Sequence, residues 1–498
     1  MGPELLSTSL NENLMNLRAQ TQHSTDVMDH RIQANGVDCV LLFCDGMVSQ
    51  QLLAELMAEP LLNLRLAKPG AQPLLQWLNE HSILAAEQKA VNTMDDLLTL
   101  IMSGFVVILA DGASHGIACG LQGYPTRSVS EPDTEMNLRG AREGFVESVR
   151  VNQTMIRRRI KSPALKFELY PLGNRSKTDI SLVYLTDRAD PRMVEQVKEQ
   201  LSKVESDVVL STGYLQPFLE GKPLSLFPRV GSTERPDVMC AKIAEGRIGI
   251  LVDGTPFAMI VPYLFNEHFQ SLDDYAYRPY YAMLLRLLKY VAFFISILLP
   301  GMYVALSVFD PEFLPDQLLF TVVSAEEATP FPLMLEALII HLIYEIMREA
   351  GLRLPKQVGH AVSIVGALVI GDAAVNAGLI GSPMVMIVAL TAISSFVLPS
   401  LYEAVAVLKF IFILIGGTWG LYGIALGLLA LAVNLCAMMT EGVPLMAPLA
   451  PFSKFSMRDT VYRQGWRKLG KKQAEMAKMP GSDWENPDPE QNGGKNEP

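Results

Sequence analysis

The spacing of apolar residues divides this chain in two. Up to about residue 280, short apolar runs alternate with amphipathic stretches. DCVLLFCD (38–45) precedes QQLLAELMAE, and FVVILA (105–110) follows MDDLLTLI, where apolar positions recur every three or four residues. Runs of the first kind read as strands, and the three–four spacing reads as helices laying one face on a core. Beyond residue 288 polar positions become scarce. Leu288–Phe309, 330–347, Val358–Ile380 and Pro383–Leu401 are each apolar over roughly the length of a bilayer-crossing helix. Pro300-Gly301 interrupts the first of these. Ala404–Met439, at 36 residues, is too long for one ordinary crossing, and Gly416-Gly417 is the expected point of division. Five or six crossings are predicted.

The polar half repeats itself. DCVLLFCD answers DISLVYLTD (179–187), and GFVVILADG (104–112) answers GRIGILVDG (246–254). Gly104 and Gly246, like Asp111 and Asp253, stand 142 residues apart. Each unit reads as a strand, a helix, a variable segment, a second helix and two strands. Asp111-Gly112 and Asp253-Gly254 between apolar runs carry a short-hairpin signal. The expected fold is therefore α+β with a membrane part: two tandem small α/β subdomains followed by an all-α multi-pass membrane domain. The boundaries read as a polar N-terminal tail (1–36), a first soluble subdomain (37–137) and a helical linker (138–162). A second subdomain (163–280), a membrane domain (281–451) and a basic, then disordered, tail (452–498) follow.

Charge supports that division and adds an orientation. Met283–Pro451 holds 6 Lys/Arg and 11 Asp/Glu, 17 charges in 169 residues, about half the 19% density of the whole chain. The mean hydropathy is +0.24. The net charge of −11 argues against a nucleic-acid partner. Arg278, Arg286 and Lys289 precede the first crossing, whereas the loop after it carries Asp310, Glu312, Asp316, Glu326 and Glu327. Eight Lys/Arg lie between Lys454 and Lys478. The positive-inside rule then places the N-terminal half and the tail in the cytoplasm, which favours six crossings over five. The first thirty residues lack the apolar segment of a signal peptide. The five scattered cysteines form no CxxC pair, so reduced thiols and no metal site are expected.

Few residues carry chemistry. The sequence holds no GxxxxGK[ST], HExxH, GxSxG or EF-hand pattern, so neither an enzyme nor a cofactor is expected. Glu336, His341 and Glu345 interrupt the apolar 330–347 stretch, and His341, Tyr344, Glu345 and Arg348 fall on one helical stripe. Asp372 and Asn376, at i and i+4, sit among Gly371, Ala373, Ala374, Ala377 and Gly378. A carboxylate at the centre of a membrane helix costs about 2.5–3.5 kcal/mol, so it should face protein or water. These five are pore or gating candidates. Gly423 and Gly427 form a GxxxG pair suited to close helix packing. Arg157, Arg158 and Arg159 either contact a partner or lipid headgroups or form a solvated helix face.

Longer stretches carry a resemblance. REGFVESVRVNQTMIRRRI (142–160), GRIGILVDGTPFAMIVP (246–262), ATPFPLMLEALIIHLIYEIMREAGLRLP (328–355), VSIVGALVIGDAAVNAGLIGSPMVMIVALTAISSF (362–396) and EGVPLMAPLAP (441–451) resemble the A subunit of the GerA family of bacterial spore germinant receptors. The resemblance implies a multi-pass protein of the spore inner membrane. It further implies a transporter-like B subunit and a lipoprotein C subunit as partners, and homo-oligomerisation into a ligand-gated ion channel. A sporulation paralogue of the stage V AF type, amplifying ion release without sensing nutrient, is the alternative; a secondary transporter is a third reading. Two departures stand out. The family usually has Gln where Asp372 stands, and Ser-Phe-Gly-Val-Pro-Tyr-Leu-Ser-Pro where this chain has Thr440–Pro448.

Overall fold

A computed structural model of the chain describes residues 4–66, 68, 70–80, 87–123, 135, 139–221, 225–354, 371–470 and 475–484. Its N-terminal half contains two five-stranded antiparallel sheets with the same strand order. The first runs β1 (Val27–Ala34), β2 (Val37–Cys44), β4 (Phe105–Ala110), β5 (Gly116–Gly120), β3 (Gln88–Val91). The second runs β6 (Leu165–Leu172), β7 (Thr178–Leu185), β9 (Ile248–Val252), β10 (Ala258–Val261), β8 (Gly231–Thr233). Helices cover both faces of each sheet. In the first, Cys39, Leu41 and Phe43 pack with Leu74 and Leu78 of α2 (Ala71–Glu80). Val40, Leu42 and Cys44 turn the other way, onto Leu14 and Leu17 of α1 (Leu10–Gln20) and Leu97 and Ile101 of α3 (Met94–Ile101). Burial on both faces gives near-continuous apolar strands, the pattern usual for parallel sheets. Here every pairing is antiparallel.

The second unit repeats this with α4 (Val149–Arg159), α5 (Pro191–Ser202) and α6 (Pro236–Ala244). Small contacts recur at equivalent places. Leu10 N–H donates to Asp111 Oδ1 at 3.0 Å, and Val149 N–H to Asp253 Oδ1 at 2.9 Å. Asn13 bonds the backbone of Ser7 through both side-chain atoms, as Asn152 bonds that of Val146. Gly104 and Gly246 take φ values of 85° and 86°, which side chains with a Cβ rarely adopt. The Asp-Gly pairs open five-residue connections, 111–115 and 253–257, rather than two-residue turns.

Three sequence boundaries change. Residues 10–34, within the expected N-terminal tail of 1–36, are not a tail: α1 and β1 belong to the first unit, anchored by the buried Leu10, Leu14 and Leu17. The 138–162 stretch is not a linker, because α4 is the counterpart of α1. The C-terminal segment is not a solvated tail up to Trp484. Met476 and Met479 enter the core of the second unit, and Arg192 lies over the Trp484 ring. Residues 485–498 lie outside the described ones.

Among the described residues, 279–437 are mainly helical: α7 (Pro279–Val308), α8 (Asp316–Glu327), α9 (Leu333–Arg353), α10 (Ser382–Phe396) and α11 (Tyr402–Ala437); a two-stranded sheet, Met439–Thr440 with Val443–Pro444, follows. Among the described residues, two stretches, Pro279–Val308 and Pro399–Ala437, are long and apolar enough to cross a membrane. Pro300 sits inside α7 without ending it. The long α11 breaks at Gly420 (φ 62°, ψ −151°), not at Gly416-Gly417, because only glycine takes that conformation readily. The chain reverses there. A Cβ on Gly427 would meet the Phe412 and Ile415 side chains, so the two arms of α11 lie side by side.

Contacts order the helix ends. At one level, His268 meets Ser400, Arg229 donates to Met439 O, and Phe265 N–H donates to Leu445 O, so both feet of α11 stand on the second unit. Arg286 near the start of α7 is buried there too, donating to Asp274, Asp459 and Thr460 O. At the opposite level Gly420 packs on Phe309, Gly417 on Met334, and Gly378 on Ala328 O. Residues 355–370, most of the expected Val358–Ile380 helix, lie outside the described residues.

Candidate functional site

The stripe on α9 gathers the polar groups of the helical region. Its sequence places Glu336, His341 and Glu345 on faces that meet α10, α11 and the 371–380 stretch. Glu345 Oε1 accepts from Lys409 Nζ of the first α11 arm at 2.7 Å, and the Tyr402 hydroxyl donates to Oε2. The Arg348 guanidinium lies 3.1 Å from the Tyr402 ring centroid, where the ring face attracts a cation. His341 is 1% exposed and its Nδ1–H donates to Ala337 O at 2.8 Å. A carbonyl only accepts, so Nδ1 carries the proton and buried Nε2 is left as an acceptor without a partner. One turn earlier, Glu336 Oε1 accepts from Gly381 N–H at 2.8 Å. In low-dielectric surroundings these pairs hold helices together strongly once made, since the alternative is an unmatched charge.

Asp372 and Asn376 do not join them. Both are exposed on the helical turn at residues 371–376, while Ala374 beside them faces the α9 cavity. The glycine candidates also shift. Gly423 and Gly427 face their own chain's preceding arm, Ile415 and Phe412, rather than a separate helix. The tight crossing lies instead at Gly301 and Gly416, where an added Cβ would come within 2.4 Å of the Phe412 and Gly301 carbonyl oxygens.

The arginine run is overturned as a contact surface for Arg157. That side chain is 1% exposed, and its Nε and Nη2 donate to Asp26 at 2.7 and 3.0 Å. Nη1 and Nη2 also reach the Ser162 and Leu165 carbonyls. It therefore ties the second unit to the first. Arg159 pairs with Glu143 at 2.5 Å, and Arg158 lies 3.7 Å from the same carboxyl.

A larger cleft of about 910 Å3 lies where the second unit meets the helices and the C-terminal segment. Glu267, on its wall, is clasped by Lys242 and by Arg247 at 2.5 Å. Burial alone would raise its pKa, but those two cations overcome it and hold the carboxyl down at about 2. Burial pushes His268 down to about 4, and its Nδ1 stands 3.0 Å from Ser400 Oγ. Among the described residues no group of three or more His, Cys, Asp or Glu is placed to hold a metal.

A family model described as Bacillus/Clostridium GerA spore germination protein matches residues 15–475. The chain belongs to the GerA spore germination family. Spore germination protein KA of Bacillus subtilis (strain 168) is 40% identical over 469 residues, covering 93% of this chain and 86% of that protein. Spore germination protein GerLA of Bacillus cereus is 40% identical over 76% of this chain and 77% of its own. Stage V sporulation protein AF of Bacillus subtilis (strain 168) is 29% identical over 89% of this chain and 90% of its own. The crystal structure of the N-terminal domain of the A subunit of the Bacillus megaterium spore germinant receptor GerK3 is similar at a TM-score of 0.42. It is 27% identical, over 53% of this chain and 99% of that one.

In this GerA-family chain, sequence reasoning missed Lys409, the cation that the stripe needed. It stands alone among 36 α11 residues, and a lone lysine inside an apolar run was the available signal. Asp26 and Tyr402 were missed because nothing in their neighbourhoods marks them.

Proposed function

We propose that the protein is the membrane-embedded A subunit of a nutrient germinant receptor, acting as an ion-conducting component in the spore inner membrane. The family match across residues 15–475 carries this reading. The helix ends support the reading of six crossings: α7 leads away from the second unit, α9 and α10 each return towards it, and the two α11 arms lead away and back. Lys and Arg near the feet of α7 and in the C-terminal segment support a cytoplasmic side for both soluble units and that segment. The partners are then a transporter-like B subunit, a lipoprotein C subunit and further copies of this chain.

Asp372 and Asn376 face out of the single chain's bundle. Copies arranged in a ring would bring these carboxylates together on a cation path, where rings of acids attract cations. The Glu345–Lys409 pair then acts as a lock holding α9 against α11 in the closed state. Deleting this gene alone and following germinant-triggered cation release tests the proposal: release at the wild-type rate would remove it.

The likeness to Stage V sporulation protein AF supports a second reading, a paralogue that amplifies ion release without sensing nutrient. In that case deletion slows release after every nutrient instead of abolishing the response to one.

A further inference from the structure

A cavity of about 460 Å3 lies between α9 and the 371–380 stretch. Its lining is apolar at eight residues, among them Ile339, Ile343, Ala373, Ala374 and Ala377; the ninth is Glu336. Glu336 is 1% exposed. One carboxylate oxygen accepts from Gly381 N–H, while Oε2 is buried with no hydrogen-bond partner. Its ionisable neighbours among the described residues are a second carboxyl, Glu326 of α8, whose Oε1 is likewise buried and unpartnered, and the Tyr303 hydroxyl of α7. Leaving a carboxylate oxygen without a donor in such surroundings is costly, and a positive donor is what the site lacks. The alanines opposite leave the space open, and the volume falls in the range of small-molecule sites, about 300–1,000 Å3.

We propose that this cavity binds a primary alkylammonium ion. The –NH3+ group donates to Glu336 Oε2, with Glu326 adding negative potential. The alkyl chain lies along Ile339, Ile343, Ala374 and Ala377. Neither an anion nor a neutral alcohol meets both walls. An alkyl carboxylate would set a third negative charge beside two, and an alcohol would supply a donor without the charge. The bound ion would sit behind the helical turn that carries Asp372 and Asn376, wedged between it and α9. Binding of this kind does not depend on whether the protein conducts ions.

Equilibrium dialysis of radiolabelled hexylammonium against the purified full-length protein in detergent tests the site. Saturable one-to-one binding is expected, and hexanoate should fail to displace it. Glu336→Gln should weaken binding by about tenfold or more, as loss of a charge-assisted hydrogen bond does. Ala374→Leu with Ala377→Leu should abolish binding while leaving the carboxyl in place. Uptake that rises linearly with concentration, as partition into micelles does, overturns the proposal. So does displacement by hexanoate as effective as by unlabelled hexylammonium, which the wild-type protein decides alone even if the variants do not assemble. Binding unchanged in either folded variant also overturns it.

Discussion

Replacing Lys409 by methionine keeps the length of the side chain and removes its charge. Lys409 Nζ is 2.7 Å from Glu345 Oε1, with the lysine side chain 3% and the glutamate 20% exposed. At an effective dielectric of 20 two unit charges at that distance attract by about 6 kcal/mol, from which the cost of desolvating both must be subtracted. The net effect of deleting one partner is set by the charge left behind, about 3–5 kcal/mol for a buried pair. The Tyr402 hydroxyl still donates to Glu345 in the variant, and Arg348 lies beside that ring, so the lower end, about 3 kcal/mol, applies. Each kcal/mol moves the melting temperature by roughly 1 °C in a chain of 498 residues, at about 2.1 cal/mol/K of unfolding entropy per residue. Lys409→Met should therefore melt about 3 °C below wild type in detergent. Glu345→Gln should be milder, and the double substitution should recover at least about 2 kcal/mol of the summed losses, since the two residues touch. Additive losses, or a Lys409→Met protein that melts like wild type, would show the pair is not coupled. The lock makes a separate demand: spores carrying Lys409→Met at normal abundance should leak cations without germinant. Tight spores would falsify the gating role even where stability falls.

Four further outcomes are expected. Arg157→Met leaves Asp26 buried without its partner and should cost about 3–5 kcal/mol, read as a lower melting temperature and loss of protein from the membrane; recovery with Asp26→Asn in the same chain would identify the pair as the cause. Gly301→Leu drives a side chain into the Phe412 carbonyl and should prevent assembly of the helices, measured as membrane abundance; Gly371→Ala, whose Cβ would make only an ordinary contact with Val385 at 3.8 Å, should be far milder. Burial pushes Glu441 up to about 7 from 4.5, against the pull of Gln200 and Arg229. The folded state thus holds that proton more tightly than the unfolded one, so its contribution is full below pH 4.5 and lost as pH rises through 7, about 3 kcal/mol at most. Glu441→Gln should flatten melting temperature against pH across that window, and an unchanged slope would reject the assignment. An engineered cysteine beside Asp316 should react with an impermeant reagent from outside and one beside Lys468 should not; reaction at both would contradict the six-crossing arrangement.

The sequence revealed the duplication because each landmark meets the same demand in both units. Gly104 and Gly246 need positive φ, and Asp111 and Asp253 cap helices, so both kinds of residue keep their spacing. It hid the start of each unit. Helix α1 shows only four buried positions in a polar stretch, and β1 (VMDHRIQA) is an edge strand whose exposed side chains break the apolar pattern. Strand direction showed at the two Asp-Gly connections but was hidden elsewhere for another reason: burial on both faces gives antiparallel strands the composition of parallel ones. In the helical half, the polar stripe of α9 followed from its 3.6-residue period. Its partner on α11 lies 64 residues away, and no period links them. Arg157 looked like part of a basic face, because nothing local shows that Asp26, 131 residues earlier, lies against it.

The pattern of buried polar ties indicates how the soluble half could act on the helices. The base of α7 is fixed to the second unit and the C-terminal segment through Arg286, Asp274 and Asp459, and both feet of α11 are bonded to the same unit. Near their far ends α7 and α11 meet backbone to backbone at Gly301 and Gly416, which leaves little room for one to slide on the other. Those two helices therefore form one block with the second unit. Helix α9 meets that block mainly through apolar contacts, Leu333, Ala337 and Ile340 against Val304 and Ile413, which resist shear weakly. Among the described residues its ion pair to the block is Glu345–Lys409. On the proposed reading, a change reaching the second unit moves α7 and α11 together, and that pair decides whether α9 follows. Conduction should then depend on Lys409 much more steeply than on any single apolar contact of α9, each of which shares its load with its neighbours.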